Sequence, residues 1–237
     1  LYYTGKVNVS DMVQAVVTAA REDATITDFS SWGVPGSLIM KPEITAPGGD
    51  IYSVNGMTND GYEYMSGTSM ASPQIAGMAA VLGQYIRENN LEEVTGLNRR
   101  TLINSLLMST ATPMLDENED YYSILQQGAG LAEVSEAMNA GSVIMMAAED
   151  DTLTAATGAA ADGKVKAEFG DDPDRTGLYS YSFTIYNLED IDLSYELSTD
   201  LFTQDCYEWY GYNCMDPATT ELEAEVSYTW APLEGVA

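Results

Sequence analysis

Apolar side chains recur every three or four residues in the stretch that follows Ser69, and this spacing predicts one long buried helix. The stripe consists of Ile75, Ala79, Leu82 and Ile86. Pro73 falls near the start of the helix, where its missing N–H does no harm. Gly77 and Gly83 lie inside the helix and predict close packing against neighbouring backbone.

Shorter apolar stretches predict two more helices and several strands before residue 141. One helix is expected over residues 98–110, with Leu102, Leu106 and either Met108 or Ser109 facing inward, and another over residues 131–139. The expected strands cover residues 24–29, a short segment between Pro42 and Pro47, residues 51–54, and the segment "GYEYMSG" at 61–67. Helices and strands that alternate in this way indicate an α/β fold.

Beyond residue 141 the pattern changes to an alternation with a period of two, which is typical of strands. "YSYSFTIYNL" and "IDLSYELST" flank a turn-like "EDID" and predict a hairpin, and "SVIMMAA" and "GKVKAEF" predict two more strands. We therefore place a domain boundary near residues 140–142. Residues 1–141 are expected to form the α/β domain, and residues 142–237 an all-β, sandwich-like domain that is incomplete.

The charge of the chain limits its partners. The 237 residues include nine Lys or Arg and 37 Asp or Glu, which gives a formal net charge of −28. Since almost nothing could neutralise phosphates, nucleic acid is excluded as a partner, and an anionic membrane surface is disfavoured for the same reason. No run of about 18 apolar residues occurs, so no membrane insertion is expected in this segment. The sequence does not begin with Met, and its first residues do not resemble a signal peptide, so we expect an internal piece of a longer protein.

Two cysteines bracket the aromatic segment "CYEWYGYNC". In an oxidising compartment Cys206 and Cys214 could close a small loop, and in a reducing one they would be two free thiols. The sequence leaves both states open.

The segment "SGTSMASP" at 66–73 places a small, hydroxyl-rich turn at the start of the long helix. Its hydroxyl groups could cap the free N–H groups of the helix, which is the common role of Ser and Thr at such a junction. The same turn suits a nucleophilic serine, because Gly67 allows close approach of a substrate and the helix N-terminus favours negative charge on a reacting carbonyl. The chain contains no histidine, the usual base for such a serine.

The residues Gly, Thr, Ser, Met, Ala, any and Pro at 67–73 closely resemble the nucleophile segment of the subtilases, the subtilisin-like serine peptidases. "TDFSSWG" and "KPEITAPGGDI" before it, and "LLMSTATP" and "QQGAGL" after it, resemble the same family in the same order, so the resemblance covers about residues 22–140. One departure is Gln74, where many relatives carry a non-catalytic His, and we expect little consequence from it.

The resemblance implies part of the three-layer subtilisin-like fold, with Ser69 as the nucleophile and Gly67, Thr68 and Met70 supporting the substrate and the oxyanion. The catalytic Asp and His, and the oxyanion Asn, would lie upstream of residue 1. "FSSWG" and "YYSILQQGAGL" most resemble lactocepin-type cell-envelope proteinases. These imply a secreted or envelope-attached serine endopeptidase that acts on proteins or peptides and carries a fibronectin-type-III-like domain after the catalytic one.

Two other functions remain open at this point: a pseudopeptidase that acts as a binding module, and a structural surface protein in which the serine turn only caps a helix. No cofactor or metal is expected in this segment, although the parent protein could bind calcium. The carboxylates of "DENED" alternate as in a calcium loop, but Tyr121 and Gln127 stand where such a loop needs Gly and Glu. We therefore expect a solvated turn there.

Overall fold

A computed structural model describes residues 24–33, 39–58, 60–146, 165–166, 173–179, 183–223 and 225–227. The helices are α1 (Thr68–Glu88), α2 (Leu91–Thr95), α3 (Arg99–Ser109), α4 (Ile124–Gln127) and α5 (Val134–Asn139). The strands are β1 (Ile51–Val54), β2 (Tyr62–Met65), β3 (Ser142–Met146), β4 (Phe183–Asn187), β5 (Phe202–Trp209) and β6 (Tyr212–Glu221). The described part of the chain therefore mixes helices with antiparallel strand pairs.

The long helix α1 packs against α2, α3 and α5. Leu82 and Ile86 on its predicted stripe are fully buried, and Ile75 and Ala79 are half-buried, so the predicted inward face is confirmed. The expected close packing at Gly77 is wrong, because this glycine is exposed and a Cβ built on it would have no neighbour within 4 Å. The residue instead lies on the outer face of the helix.

Helix α3 forms where the apolar pattern predicts it. Asn98 caps its start, since the side chain accepts a hydrogen bond from the N–H of Thr101 at 3.0 Å. The inward positions include Leu102, Leu106 and Leu107, whereas Ser109 is exposed and Met108 only half-buried. Among the last three residues of α3, Leu107 is thus the most buried, Met108 is partly inward, and Ser109 faces outward.

Helix α5 begins at Val134, three residues later than expected, because Leu131 is extended. Leu131 forms isolated β-bridges with Thr45 and with Thr112, so its backbone is already hydrogen-bonded to two other segments and does not join the helix. The strand expected between Pro42 and Pro47 is limited to the bridge at Thr45.

Strands β1 and β2 confirm two of the predicted strands and form an antiparallel hairpin in which Ile51 pairs with Met65 and Val54 with Tyr62. The strand expected over residues 24–29 is wrong. Residues 27–30 form a turn that the N–H of Ser30 closes on the carbonyl of Thr27 at 3.0 Å.

Strand β4 pairs with β3, and not with residues 191–199, so the hairpin expected around "EDID" is wrong. The chain turns after β4 because Asn187 accepts the N–H of Glu189 and donates its side-chain amide to the carbonyl of Ile191. The expected strand at 142–148 is confirmed over 142–146, and residues 147–148 lie outside the described residues. Of the strand expected at 163–169, only residues 165–166 are described, and they lie in a bend.

The strands of the described residues form three separate two-stranded sheets, β1–β2, β3–β4 and β5–β6. Val143 of β3 is buried in the same apolar cluster as Leu82, and the buried hydroxyl of Ser105 on α3 donates to the carbonyl of Ile144 at 3.0 Å. Strand β3 thus packs on the helices that precede it. The division at residues 141 and 142, and the sandwich beyond it, stay predictions.

Candidate active site

The serine turn links strand β2 to helix α1 over only two residues, Ser66 and Gly67. Gly67 has a φ of 153° and a ψ of 162°, a conformation that favours glycine. Thr68 and Ser69 follow in the first turn of the helix and are exposed, while Met70 is half-buried. The fold therefore presents the Ser69 hydroxyl at the surface, beside the free N–H groups at the start of a 21-residue helix.

The hydroxyl groups of this turn do not cap the helix. Gly67 occupies the capping position and has no side chain, and Ser66 uses its hydroxyl elsewhere. Among the described residues no hydroxyl of Thr68, Ser69 or Ser72 bonds a helix N–H. The capping role that the sequence left open thus gains no support from this geometry.

A neighbouring segment, residues 47–50, holds the turn in place. The N–H of Gly67 donates to the carbonyl of Gly48 at 2.8 Å. Ser66 Oγ accepts the N–H of Asp50 at 2.9 Å and donates to Asp50 Oδ1 at 3.2 Å. These hydrogen bonds fix residues 47–50 beside Ser66 and Gly67 at the N-terminus of α1.

Gly48 allows this close approach. A Cβ built on Gly48 would lie 2.9 Å from the carbonyl oxygen of Gly67 and 3.4 Å from the Cβ of Ala71. Any larger residue would push the segment away from the serine turn. Close packing against Gly67 and Ala71 therefore requires glycine at position 48.

The arrangement suits a reaction in which a hydroxyl attacks a carbonyl. Peptide N–H groups at a helix N-terminus stabilise negative charge that develops on an oxygen. The chain has no histidine, so a proton acceptor of that kind is not among its 237 residues. Among the described residues no group of three or more His, Cys, Asp or Glu side chains could hold a metal ion, and no helix there is long and apolar enough to cross a membrane.

The "DENED" segment is an exposed turn closed by its own first residue. The Asp116 carboxylate accepts the N–H groups of Asn118 at 2.7 Å and Asp120 at 3.1 Å. Desolvation on its own would raise the pKa of Asp116, but these hydrogen bonds to the charged form outweigh it and lower the pKa. The carboxylate thus serves the turn itself.

Glu43, in the segment before the turn, is an ion-pair partner. Lys41 Nζ lies 2.5 Å from Glu43 Oε1, and Lys166 Nζ lies 3.5 Å from the same oxygen. Burial would raise the pKa of Glu43, but the hydrogen bond from Lys41 and the positive charge of Lys166 lower it overall. The lowered pKa keeps Glu43 ionised, and its carboxylate forms ion pairs with both Lys41 and Lys166.

Sequence reasoning found the serine turn but missed the residues that hold it, namely Asp50, Ser66 and Gln74. The Gln74 side chain donates to the carbonyl of Pro47 at 2.7 Å. The one sequence signal was the presence of Gln74 where many relatives of the resembled family carry His. The pairing of Asp50 with Ser66 has no local signal, because 16 residues separate them.

Comparisons with known proteins identify the family of the chain. The model of the subtilase family matches residues 8–170. The PII-type proteinase of Lactococcus lactis subsp. cremoris is 40% identical over 125 residues, which is 48% of this chain and 6% of that protein. The C5a peptidase of Streptococcus pyogenes is 41% identical over 113 residues, which is 47% of this chain and 9% of that protein. The chain thus spans less than a tenth of the length of these relatives.

Among solved structures, that of the prenylagaramide maturation protease PagA is similar over 48% of this chain and 37% of that chain, with 29% identity and a TM-score of 0.34. The family match covers well over half of the chain and includes the whole serine turn. The chain belongs to the subtilase family.

Proposed function

We propose that this segment carries the nucleophile of a serine endopeptidase and that Ser69 is that nucleophile. The observation that supports it best is the exposed Ser69 hydroxyl in the first turn of α1, on a turn fixed by Gly48 and Asp50. The substrate would be a protein or peptide. Nucleic acid is disfavoured by the net charge of −28.

In the proposed reaction Ser69 Oγ forms a bond to the scissile carbonyl carbon, and its proton passes to a histidine supplied by a preceding segment of the full protein. The backbone N–H of Ser69 donates to the oxyanion, and Gly67 leaves room for the substrate backbone. When the C–N bond breaks, the histidine returns the proton to the leaving amine. Water then hydrolyses the acyl-enzyme and regenerates the Ser69 hydroxyl.

Thr68 and Met70 flank the nucleophile and are proposed to support the bound substrate. The remainder of the catalytic domain, with its Asp, His and oxyanion Asn, would complete the three-layer fold around α1. Residues 142–237 would begin a fibronectin-type-III-like accessory domain. We place the full protein outside the cell or on the cell envelope, as the resemblance to cell-envelope proteinases implies.

The test is to replace Ser69 in the full-length protein and to measure both peptide hydrolysis and labelling by a fluorophosphonate. Ser69→Ala should abolish both, because no other hydroxyl lies at the same place in the turn. Ser72→Ala, also exposed on α1, is the matched control and should leave both unchanged. A folded wild-type protein that neither hydrolyses peptides nor takes up the label would instead be a pseudopeptidase that binds its partners.

A further inference from the structure

The side chain of Gln74, in the second turn of α1, reaches residues 47–50, the segment beside the serine turn. Its Nε2 donates to the carbonyl of Pro47 at 2.7 Å and lies 3.5 Å from the carbonyl of Met70, one turn earlier in α1. We propose that Gln74 is a positioning residue, which fixes the Ser69 hydroxyl by holding residues 47–50 against the first turn of α1. The inference rests on the proposed function of Ser69.

The geometry of the segment explains why it needs such a tie. Pro47 is followed by Gly48 and Gly49, and two successive glycines leave the backbone free to adopt many conformations. The hydrogen bond from Gln74 fixes the carbonyl directly before them. The next carbonyl, that of Gly48, then accepts the N–H of Gly67, which is two residues from Ser69.

The tie from Gln74 differs from the other two contacts between these segments. The bond from Gly67 to Gly48 and the pair of Ser66 with Asp50 both start in the turn itself. The Gln74 side chain starts from the second turn of the helix, so it sets the position of residues 47–50 relative to the helix axis. Without it, residues 47–50 could shift along the helix and displace the turn to which they are bonded.

Such a shift would act on the chemical step. A reacting oxygen has to lie about 3–3.5 Å from its carbon with the correct alignment, and a displacement of about 1 Å can cost about 100-fold in rate. A smaller shift of the Ser69 hydroxyl should lower kcat by about tenfold. KM should change little, because a misplaced Ser69 hydroxyl weakens the stabilisation of the transition state more than the binding of the substrate.

The experiment compares variants of the full-length protein by kcat, KM, fluorophosphonate labelling rate and Tm. Gln74→Met removes the donor without adding a charge and nearly preserves the length of the side chain. Gln74→His keeps an N–H donor and should restore kcat to within about threefold of the wild type, since a single donated hydrogen bond carries the effect. Gln84→Met is the matched control, since Gln84 lies on the same helix and donates to the exposed side chain of Glu88 at 2.8 Å, away from the serine turn.

We expect Gln74→Met to lose about tenfold in kcat and in labelling rate with KM nearly unchanged, and Gln84→Met to match the wild type. A folded Gln74→Met with wild-type kcat would overturn the proposal. If Gln74→Met does not fold, Gln74→Asn replaces it, because the Asn side chain is one methylene shorter and its carboxamide does not reach Pro47. A folded Gln74→Asn with wild-type kcat would also overturn the proposal. Failure of both to fold also overturns it, since Gln74 would then determine the fold rather than the position of the hydroxyl.

These outcomes are separate from a failure of the proposed function. If Ser69→Ala keeps its activity, Ser69 is not the nucleophile and the role of Gln74 falls with it. If Ser69→Ala is inactive and Gln74→Met is fully active, Ser69 remains the nucleophile and only the positioning role is lost.

Discussion

Gly48, beside the serine turn, and Gly77, on the exposed face of α1, show how much the same residue type can differ in its role. Gly48→Ala would place a methyl group 2.9 Å from the carbonyl oxygen of Gly67, so one of the two segments must move. We expect it to lower the free energy of unfolding by about 1–3 kcal/mol. Gly77→Ala adds the same methyl group in open space on an exposed helix face and should raise that free energy by about 1 kcal/mol.

Urea unfolding of both variants, followed by circular dichroism, measures the two changes against the wild type. The prediction concerns the opposite signs as much as their size. A Gly48→Ala variant that is as stable as the wild type, or more stable, would mean that the close approach of Gly48 to Gly67 does not exist in solution.

Two adjacent glutamines on α4 provide a second comparison. Gln127 is buried, and its side-chain amide bonds the N–H and the carbonyl of Met114 and the carbonyl of Tyr122. Gln127→Ala would remove the partner of the Met114 N–H and of the Tyr122 carbonyl, whereas the Met114 carbonyl still accepts the N–H of Tyr122 at 3.1 Å. It should therefore lower the free energy of unfolding by about 2–4 kcal/mol.

Gln126→Ala is the control, because Gln126 Oε1 is buried without a hydrogen-bond partner among the described residues. Its loss should cost less than about 1 kcal/mol, since no polar group is newly left unsatisfied. Thermal unfolding of both variants at one pH gives the comparison. Equal losses would show that volume, and not hydrogen bonding, determines the stability at this site.

At the scale of whole elements, the periodicity of apolar residues predicted the helices and strands whose formation depends on their own residues. Helices α1 and α3 and strands β1 and β2 were found because each has a continuous pattern over its own residues. The partner of β4 was not found, because β3 lies about 40 residues earlier, and alternation alone does not say which strand pairs with which. Helices α2 and α4, of five and four residues, are too short to show a period.

The hairpin β5–β6 resolves a question that the cysteine spacing left open. Cys206 pairs with Met215, and Tyr207 pairs with Cys214. Residues directly opposite each other share a face and successive residues alternate, so the two cysteines point to opposite faces of the hairpin. Both thiols are free.

We therefore predict that Cys206 and Cys214 do not form a disulfide with each other, even under air. Titration of the unfolded chain with a thiol reagent should find two reactive groups per molecule, and non-reducing peptide mapping should find no peptide that links them. Conversion of Cys214 to Ser should leave the reactivity of Cys206 unchanged. A linked peptide of the mass expected for a 206–214 bond would show that the register of the hairpin differs in solution.

At the scale of the whole molecule, the candidate site divides into a part that the sequence reveals and a part that it does not. The motif at 67–73 contains the proposed nucleophile and the glycine that its turn requires, so both could be predicted from a short stretch of sequence. The ties from Asp50, Ser66 and Gln74 depend on how residues 47–50 lie against α1, and this contact spans 16 to 27 residues of sequence. Only a folded chain brings those groups together.

The same division leads to a prediction for the isolated 237-residue chain. Ser69 lies at its surface, but the chain contains no histidine to accept the proton of the hydroxyl. In subtilisin itself, removal of the base costs about as much as removal of the whole triad, on the order of 10⁶-fold in kcat. The isolated chain should therefore show no peptide hydrolysis above background and no rapid fluorophosphonate labelling at Ser69. The full-length protein should show both, and rapid labelling of the isolated chain that Ser69→Ala removes would mean that another group in this segment activates the serine.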